Sequence, residues 1–270
     1  MKNAKDEGIF MPATGSLIIN ADDWGRDLET TERILECILK GTVSSTSAMV
    51  FMKDSDRAAA IAREKNIDVG LHLNLTTPFS APNTAIGLIE RQQRLSRFLM
   101  RRRISWVFFN PALMDTFDYV VASQLDEYRR LYDADPNRID GHHHMHLCSN
   151  VLFAKLLPPG ILVRRSYSFR KGEKNWHKRF YREILDRILA RRYRLAHFFF
   201  SLQPLEPADR LLRIFALARK HLVEVGAHPA VPAEYKFLMG NEIFRHLGDL
   251  CIARGFSVPW SECLRKGDNR

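Results

Sequence analysis

The chain has 270 residues, 46% hydrophobic and 27% charged, with a formal net charge of +10. That size and composition suit one large domain and exclude a disordered or low-complexity chain. No apolar run approaches the ~20 residues that span a bilayer. The opening stretch "MKNAKDEGIFMPATG" carries acids and lacks the apolar core of a secretory signal, so a cytoplasmic location is expected.

In chain order, "SLIINADD" (Ser16 to Asp23) reads as a buried strand. A helix follows in "ETTERILECILKG", where Ile34, Leu35, Ile38 and Leu39 share a face and Gly41 supplies the stop. "TVSSTSAMVF" is a second strand, and "DSDRAAAIAREKN" a helix opened by Asp54 or Ser55. "IDVGLHLNLT" is a third strand, "NRIDGHHHMH" a fourth, "GILVRRSYS" a fifth, "RLAHFFFSL" a sixth, "HLVEVGAHP" a seventh and "GFSVPW" a short last one. Further helices are expected at about Phe117–Tyr132, Trp176–Arg192, Pro207–His221 and Gly240–Arg254. This alternation predicts an α/β fold, an irregular (β/α) barrel of seven to eight parallel strands, with an open doubly wound sheet as the alternative. No linker or repeat divides the chain, so a single domain over 1–270 is expected, with a long loop or lid insertion at about 77–115. Cys37, Cys148, Cys251 and Cys263 form no C-x-x-C pair and are expected as reduced thiols.

The charge is uneven. Arg101, Arg102 and Arg103 form one knot, and Arg164 to Arg194 holds twelve Lys/Arg against three acids. Such regions attract an anionic partner, either an acidic glycan or a membrane surface touched peripherally. No helix-turn-helix, zinc-finger or RNP motif accompanies them, so nucleic acid is not the expected partner.

Parallel α/β folds carry their chemistry at the carboxyl ends of the strands. There the chain places Asp22 and Asp23, His72, Asp140 with His142, His143, His144 and His146, Arg164 and Arg165, and Glu224 with His228. Singly these have plain explanations: an Asp pair ends strands, and a lone His in an apolar strand is usually a hydrogen-bonded core residue. Four histidines in five positions are harder to leave idle. Strand periodicity would aim Asp140, His142, His144 and His146 to one side and His143 to the other, and buried imidazoles without a task cost solvation. Acids and imidazoles from four strands converging on one rim suit a divalent cation with open positions for water and substrate, hence hydrolysis. A nearby carboxylate would serve as base and a protonated His as acid.

With "IINADDWG" (Ile18–Gly25), "GTVSSTSAMV" (Gly41–Val50), "VGLHLNLT" (Val69–Thr76), "RIDGHHHMH" (Arg138–His146) and "VEVGAHPA" (Val223–Ala230) in that order, the chain resembles the YdjC-like carbohydrate deacetylases, the ChbG/HpnK group. The resemblance implies an irregular barrel related to polysaccharide deacetylases and a metal-dependent hydrolase that removes acetyl from an N-acetylated sugar. It implies Asp23, His72 and His142 as metal ligands, Asp22 as general base and His228 as general acid. His144 and His146 would lie behind the ligands or at the substrate. Beside it, Asp140 is expected to orient an imidazole and Arg165 to stabilise the oxyanion. Gly226 and Ala227 stand where bulkier residues are expected and should widen the pocket near His228. The cofactor expected is one divalent ion, Mg or Zn first, then Mn, Co or Ni. The substrate class spans oligosaccharides, polysaccharides and lipid-linked glycans, and a homodimer is compatible. The rival readings are another metal hydrolase, such as a phosphoesterase, and a catalytically dead relative binding anions or nucleic acid.

Overall fold

A computed structural model describes residues 15–102, 104–169 and 176–256. Seven strands make one parallel sheet: β1 (Ser16–Trp24), β2 (Ser45–Ala48), β3 (Val69–Leu73), β4 (Arg138–Gly141), β5 (Leu162–Val163), β6 (Phe198–Ser201) and β7 (Leu222–Ala227). Their order is β5-β4-β3-β2-β1-β7-β6, so the first strand of the chain lies inside the sheet, between β2 and β7. All nine residues of β1 are buried, as a strand paired on both edges and covered on both faces must be.

The sheet curls, and its two ends meet imperfectly. Leu162 of β5 makes one parallel bridge to Arg194, just ahead of β6, and the Ser168 N–H donates to the Phe199 carbonyl at 2.8 Å. The irregular barrel is therefore closed everywhere except along one thin seam.

Helices cover the outside: α1 (Leu28–Leu39), α2 (Ser55–Glu64), α3 (Ile86–Met100), α4 (Met114–Tyr132), α5 (Ser149–Phe153), α6 (Trp176–Ala190), α7 (Asp209–Ala218), α8 (Pro232–Met239) and α9 (Glu242–Leu247). The Asp27 carboxylate accepts the Thr30 N–H at 2.8 Å and starts α1; Gly41, at φ +77°, ends its turn as expected. One apolar core joins the strands to this shell, with Trp24 and Phe117 fully buried. The 77–115 excursion is mostly helix rather than loop. In α3, Leu88, Leu95 and Leu99 are buried, and Gln92 and Ser96 donate to the carbonyls of Thr77 and Thr76.

Several expectations are corrected. The fourth strand stops at Gly141, because His143 and His144 take the left-handed conformation, at φ 54° and 58°, and turn the chain. The fifth has two paired residues instead of nine. Cys251 is disulfide-bonded, so it is not a reduced thiol; Cys37 and Cys148 are free and buried. Ile252 bridges Leu17, but most of the expected last strand "GFSVPW" lies outside the described residues, as do the opening stretch to Thr14, Arg103, Cys263 and 170–175 of the basic region. Among the described residues no helix is long and apolar enough to cross a membrane.

Candidate metal and active site

The site begins with a fault in β1. Its pairing with β2 slips between Ala21 and Trp24, and Asp23 adopts φ 73°. In a regular strand the neighbours Asp22 and Asp23 would point to opposite faces. The bulge brings both carboxylates into one polar cluster, and Asp tolerates the left-handed backbone better than most residues.

Three groups meet around Asp23. His72, on β3, brings Nε2 to 3.4 Å from Asp23 Oδ1, and His142, just past β4, brings Nδ1 to 3.0 Å from the same oxygen. Asp23 Oδ2 accepts from Arg26 Nη1 at 2.7 Å, which leaves Oδ1 for the imidazoles. One ligand-type atom from each of Asp23, His72 and His142 lies within 4.8 Å of the others. Behind His72, the register opposes it to Asp140, whose Oδ1 is 2.7 Å from Nδ1. That contact fixes the ring and frees Nε2, as carboxylates behind metal-bound imidazoles do. Burial opposes charge on His72, yet Asp140 and Asp22 outweigh it and raise its pKa to about 10. A cation taking Nε2 would displace that proton. Burial would raise Asp23 too, but hydrogen bonds from His142 and His72 hold it well below the usual carboxylate range.

Asp22 belongs to a different constellation. Arg164 approaches it with two parallel bonds, Nη1 to Oδ2 at 2.7 Å and Nη2 to Oδ1 at 2.8 Å. The same guanidinium reaches Asp140 at 2.7 Å and Glu224 at 2.6 Å. Asn20 Nδ2 donates to Asp22 Oδ1 at 2.8 Å and to Ser47 Oγ at 2.9 Å, and Ser47 donates to Asp140 at 2.6 Å. Burial pushes Asp22 up, but Arg164 and His72 together outweigh it and keep its pKa below the ordinary value, hence ionised. The trio Asp22, His72 and Asp140 is also close enough for an ion, but Arg164 already pairs with both acids there.

His228, past β7, closes the opposite side. Its Nε2 is 3.6 Å from Asp22 Oδ2, and its side chain is 38% exposed, against 5% for Asp22, so it stands at the opening. Glu234, on α8, accepts the His228 N–H at 2.7 Å and lies 3.9 Å from Nδ1. Burial raises the Glu234 pKa.

The rest of the histidine run does not line up as a strand face. His143 contacts Thr76 Oγ1 at 3.0 Å, His144 Nε2 meets the Tyr167 hydroxyl at 2.6 Å, and His146 Nε2 donates to the Arg164 carbonyl at 3.0 Å. Arg165, expected at the oxyanion, turns the other way: it pairs with Asp186 and donates to the His197 carbonyl. Its neighbour Arg164 is the one that points into the cluster. The pocket near His228 is not widened at Gly226. The Phe199 ring occupies that space, with its atoms 3.0 Å from where a Cβ would stand. Sequence reasoning gave no role to Arg164, Asn20, Ser47, Tyr167 or Glu234. Alternation from Val163 could have singled out Arg164; nothing local marks Glu234.

An ionised carboxylate and an imidazole beside an oxygen–nitrogen–nitrogen trio can hold a divalent cation and move protons on either side of a bound group. Fold and cluster together define a (β/α)-barrel protein with a candidate divalent-metal site at the carboxyl ends of its strands. Residues 16–248 match the model of YdjC-like proteins, and the chain belongs to that family. It is 29% identical over 136 residues to a chitooligosaccharide deacetylase of Proteus mirabilis, a match covering 50% of this chain and 51% of that one. It is 34% identical over 148 residues to a carbohydrate deacetylase of Mus musculus, covering 52% and 46%. The chain thus spans about half the length of the curated relatives it matches. A solved structure from Enterococcus faecalis, provisionally assigned to cellobiose-phosphate cleavage, superposes with TM-score 0.54 at 18% identity over 80% of each chain. That likeness bears on the fold alone.

Proposed function

We propose that this chain is a carbohydrate N-deacetylase of a single domain, holding one divalent cation on Asp23, His72 and His142. The observation that carries the reading is the convergence of His72 and His142 on one Asp23 carboxylate oxygen, with Asp22 and His228 3.6 Å apart beside them. The donor set fits the ion: two imidazoles and a carboxylate, with His72 pre-oriented by Asp140. The names of the deacetylase relatives support the substrate class, an N-acetylated glycan. When bound, the cation polarises the acetamide carbonyl and acidifies a water.

The chain's own residues supply the proton traffic. Asp22, kept ionised by Arg164, takes a proton from the attacking water. His228, steadied by Glu234, donates a proton to the amide nitrogen. The carbonyl carbon gains a bond to the water oxygen and loses its bond to nitrogen, leaving acetate and a free amino sugar. The 77–115 segment, with α3 packed against Thr76 and Thr77 just past β3, flanks the entrance and serves as its lid. Magnesium or zinc suits the donors, as do manganese, cobalt or nickel.

The test couples metal analysis of untagged protein to acetate release from a panel of N-acetylated oligosaccharides. About one divalent ion per chain and acetate release that stops with EDTA and returns with metal are expected. Phosphate release from a phosphate ester, with no acetate from any amide, would overturn the assignment in favour of a phosphoesterase.

A further inference from the structure

Two cavities adjoin the site, and they share two residues, Tyr167 and Arg182. The first, about 210 Å³, is walled by His143 and His144 on the catalytic side and by Trp106 and Tyr181 on the other. The second, about 520 Å³, lies beyond Arg182 and adds Arg210 and Arg213. That larger volume falls within the roughly 300–1,000 Å³ of ordinary small-molecule sites. Among the described residues no carboxylate lines either cavity.

Arg182 is the odd group between them. Its guanidinium lies over the rings of Phe169, at 4.3 Å, and Tyr167, at 5.4 Å, and donates to the Tyr167 carbonyl at 3.3 Å. Ring stacking and one hydrogen bond fix its direction, and among the described residues it forms no ion pair. Asp186, the one carboxylate acting on it, is already held by Arg165 and Ser166. Tyr167 ties this arginine to the site, because its hydroxyl meets His144 at 2.6 Å. A half-buried, directed cation with no ion pair of its own among the described residues, lining two cavities to which those residues contribute no acid, has the chemistry of an anion receptor.

We infer that Arg182, with Arg213 beyond it, forms a subsite for a carboxylate or phosphate group carried by the glycan. The subsite rests on the deacetylase reading for its sugar, and it makes the substrate an acidic, N-acetylated saccharide. The neutral acetamide goes to the Asp–His cluster and the negative group to Arg182.

Calorimetric titration of the full chain tests this with three probes: N-acetylglucosamine 1-phosphate, a disaccharide of N-acetylglucosamine and a uronic acid, and neutral diacetylchitobiose. The wild type should bind at least one anionic probe about tenfold more tightly than the neutral one, the worth of one charge-assisted hydrogen bond. Which probe gains tells phosphate from carboxylate. In R182Q the ratio should fall towards one, and R182K, which keeps the charge but loses the planar fork, should retain part of it. Equal affinities in the wild type overturn the subsite. A preference that survives in R182Q also overturns it, since the anion would then sit elsewhere, for instance on the metal. Were R182Q to misfold, inorganic phosphate settles the matter: it should compete with the anionic probe and spare the neutral one, and failure to compete overturns the inference. Acetate release run in parallel separates the two readings. Absence of acetate from every probe sinks the deacetylase assignment, while the affinity ratio still decides the subsite.

Discussion

Asp22 and Asp23 are neighbours with different surroundings, and the proposed mechanism gives them different work. Asp23 turns one oxygen to two imidazoles and the other to Arg26, whereas Arg164 holds both oxygens of Asp22. Asp23→Ala should lose bound metal and acetate release together, read by elemental analysis and assay. Asp22→Asn should keep its metal and lose roughly 10²–10⁴-fold in kcat, the usual worth of a general base; full activity in that variant removes Asp22 from the mechanism. Arg164 is the larger structural stake. It pairs with Asp22, Asp140 and Glu224 together in a buried cluster. Arg164→Met leaves those acids facing one another and should cost about 3–5 kcal/mol or more in denaturant unfolding. Arg164→Lys should be intermediate, since an ammonium cannot fork across both Asp22 oxygens. Motif order and residue type singled out Asp22, Asp23, His72, His142 and His228 in the sequence, and the structure brings these side chains into one cluster. The choice between Arg164 and Arg165 was not, because it turns on which of two adjacent side chains faces the barrel interior. Gly226 misled for a related reason: the chain shows an absent side chain, not the distant Phe199 ring that fills its place.

The element most misread is the run after β4. Alternation predicts a strand through His146, yet left-handed backbone at His143 and His144 makes it a turn. No single residue type announces such a pair, which the packing around it holds in place. The turn buries His146 completely, Nε2 on a carbonyl and Nδ1 without a partner. Burial therefore pushes its pKa from 6.5 down to about 4. An unfolded His146 takes a proton near 6.5 and the folded one does not, so the folded state binds fewer protons between those values. Stability from this residue is present above about 6.5 and is lost as pH falls towards 4, by about 3 kcal/mol. His144, pushed down by its own burial, adds in the same direction. Urea titrations of EDTA-treated protein at pH 7 and pH 5 should show the loss, and His146→Gln should flatten it. An unchanged pH slope in that variant would clear His146 of the effect.

At the scale of the molecule, the parallel sheet and its helices follow from the spacing of apolar runs, and seven of the eight expected strands are present. Lengths were less legible, because a strand stops where partners and backbone stop it rather than where β-branched residues end. Thiol state was misjudged at one position. Cys251 is bonded, whereas Cys37 and Cys148 are sealed in the core with pKa values pushed up to about 12 by burial. At pH 8, maleimide mapping of the native protein should leave Cys37 and Cys148 unlabelled, and unfolding should expose both. Labelling of either in the native state would contradict the packing.

A staved vessel leaks first where two staves are merely pinned. Between β5 and β6 that pinning is a handful of contacts rather than a ladder: the Leu162–Arg194 bridge, Gly160 on the Arg192 carbonyl, Arg165 on the His197 carbonyl, and Ser168 with Phe199. Deuterium should enter the amides of β5 and of 194–201 sooner than those of β1, and a ligand seated against Tyr167, whose ring stacks on Phe199, should slow that entry. The fold would then report occupancy of its own mouth through the weakest line in its wall.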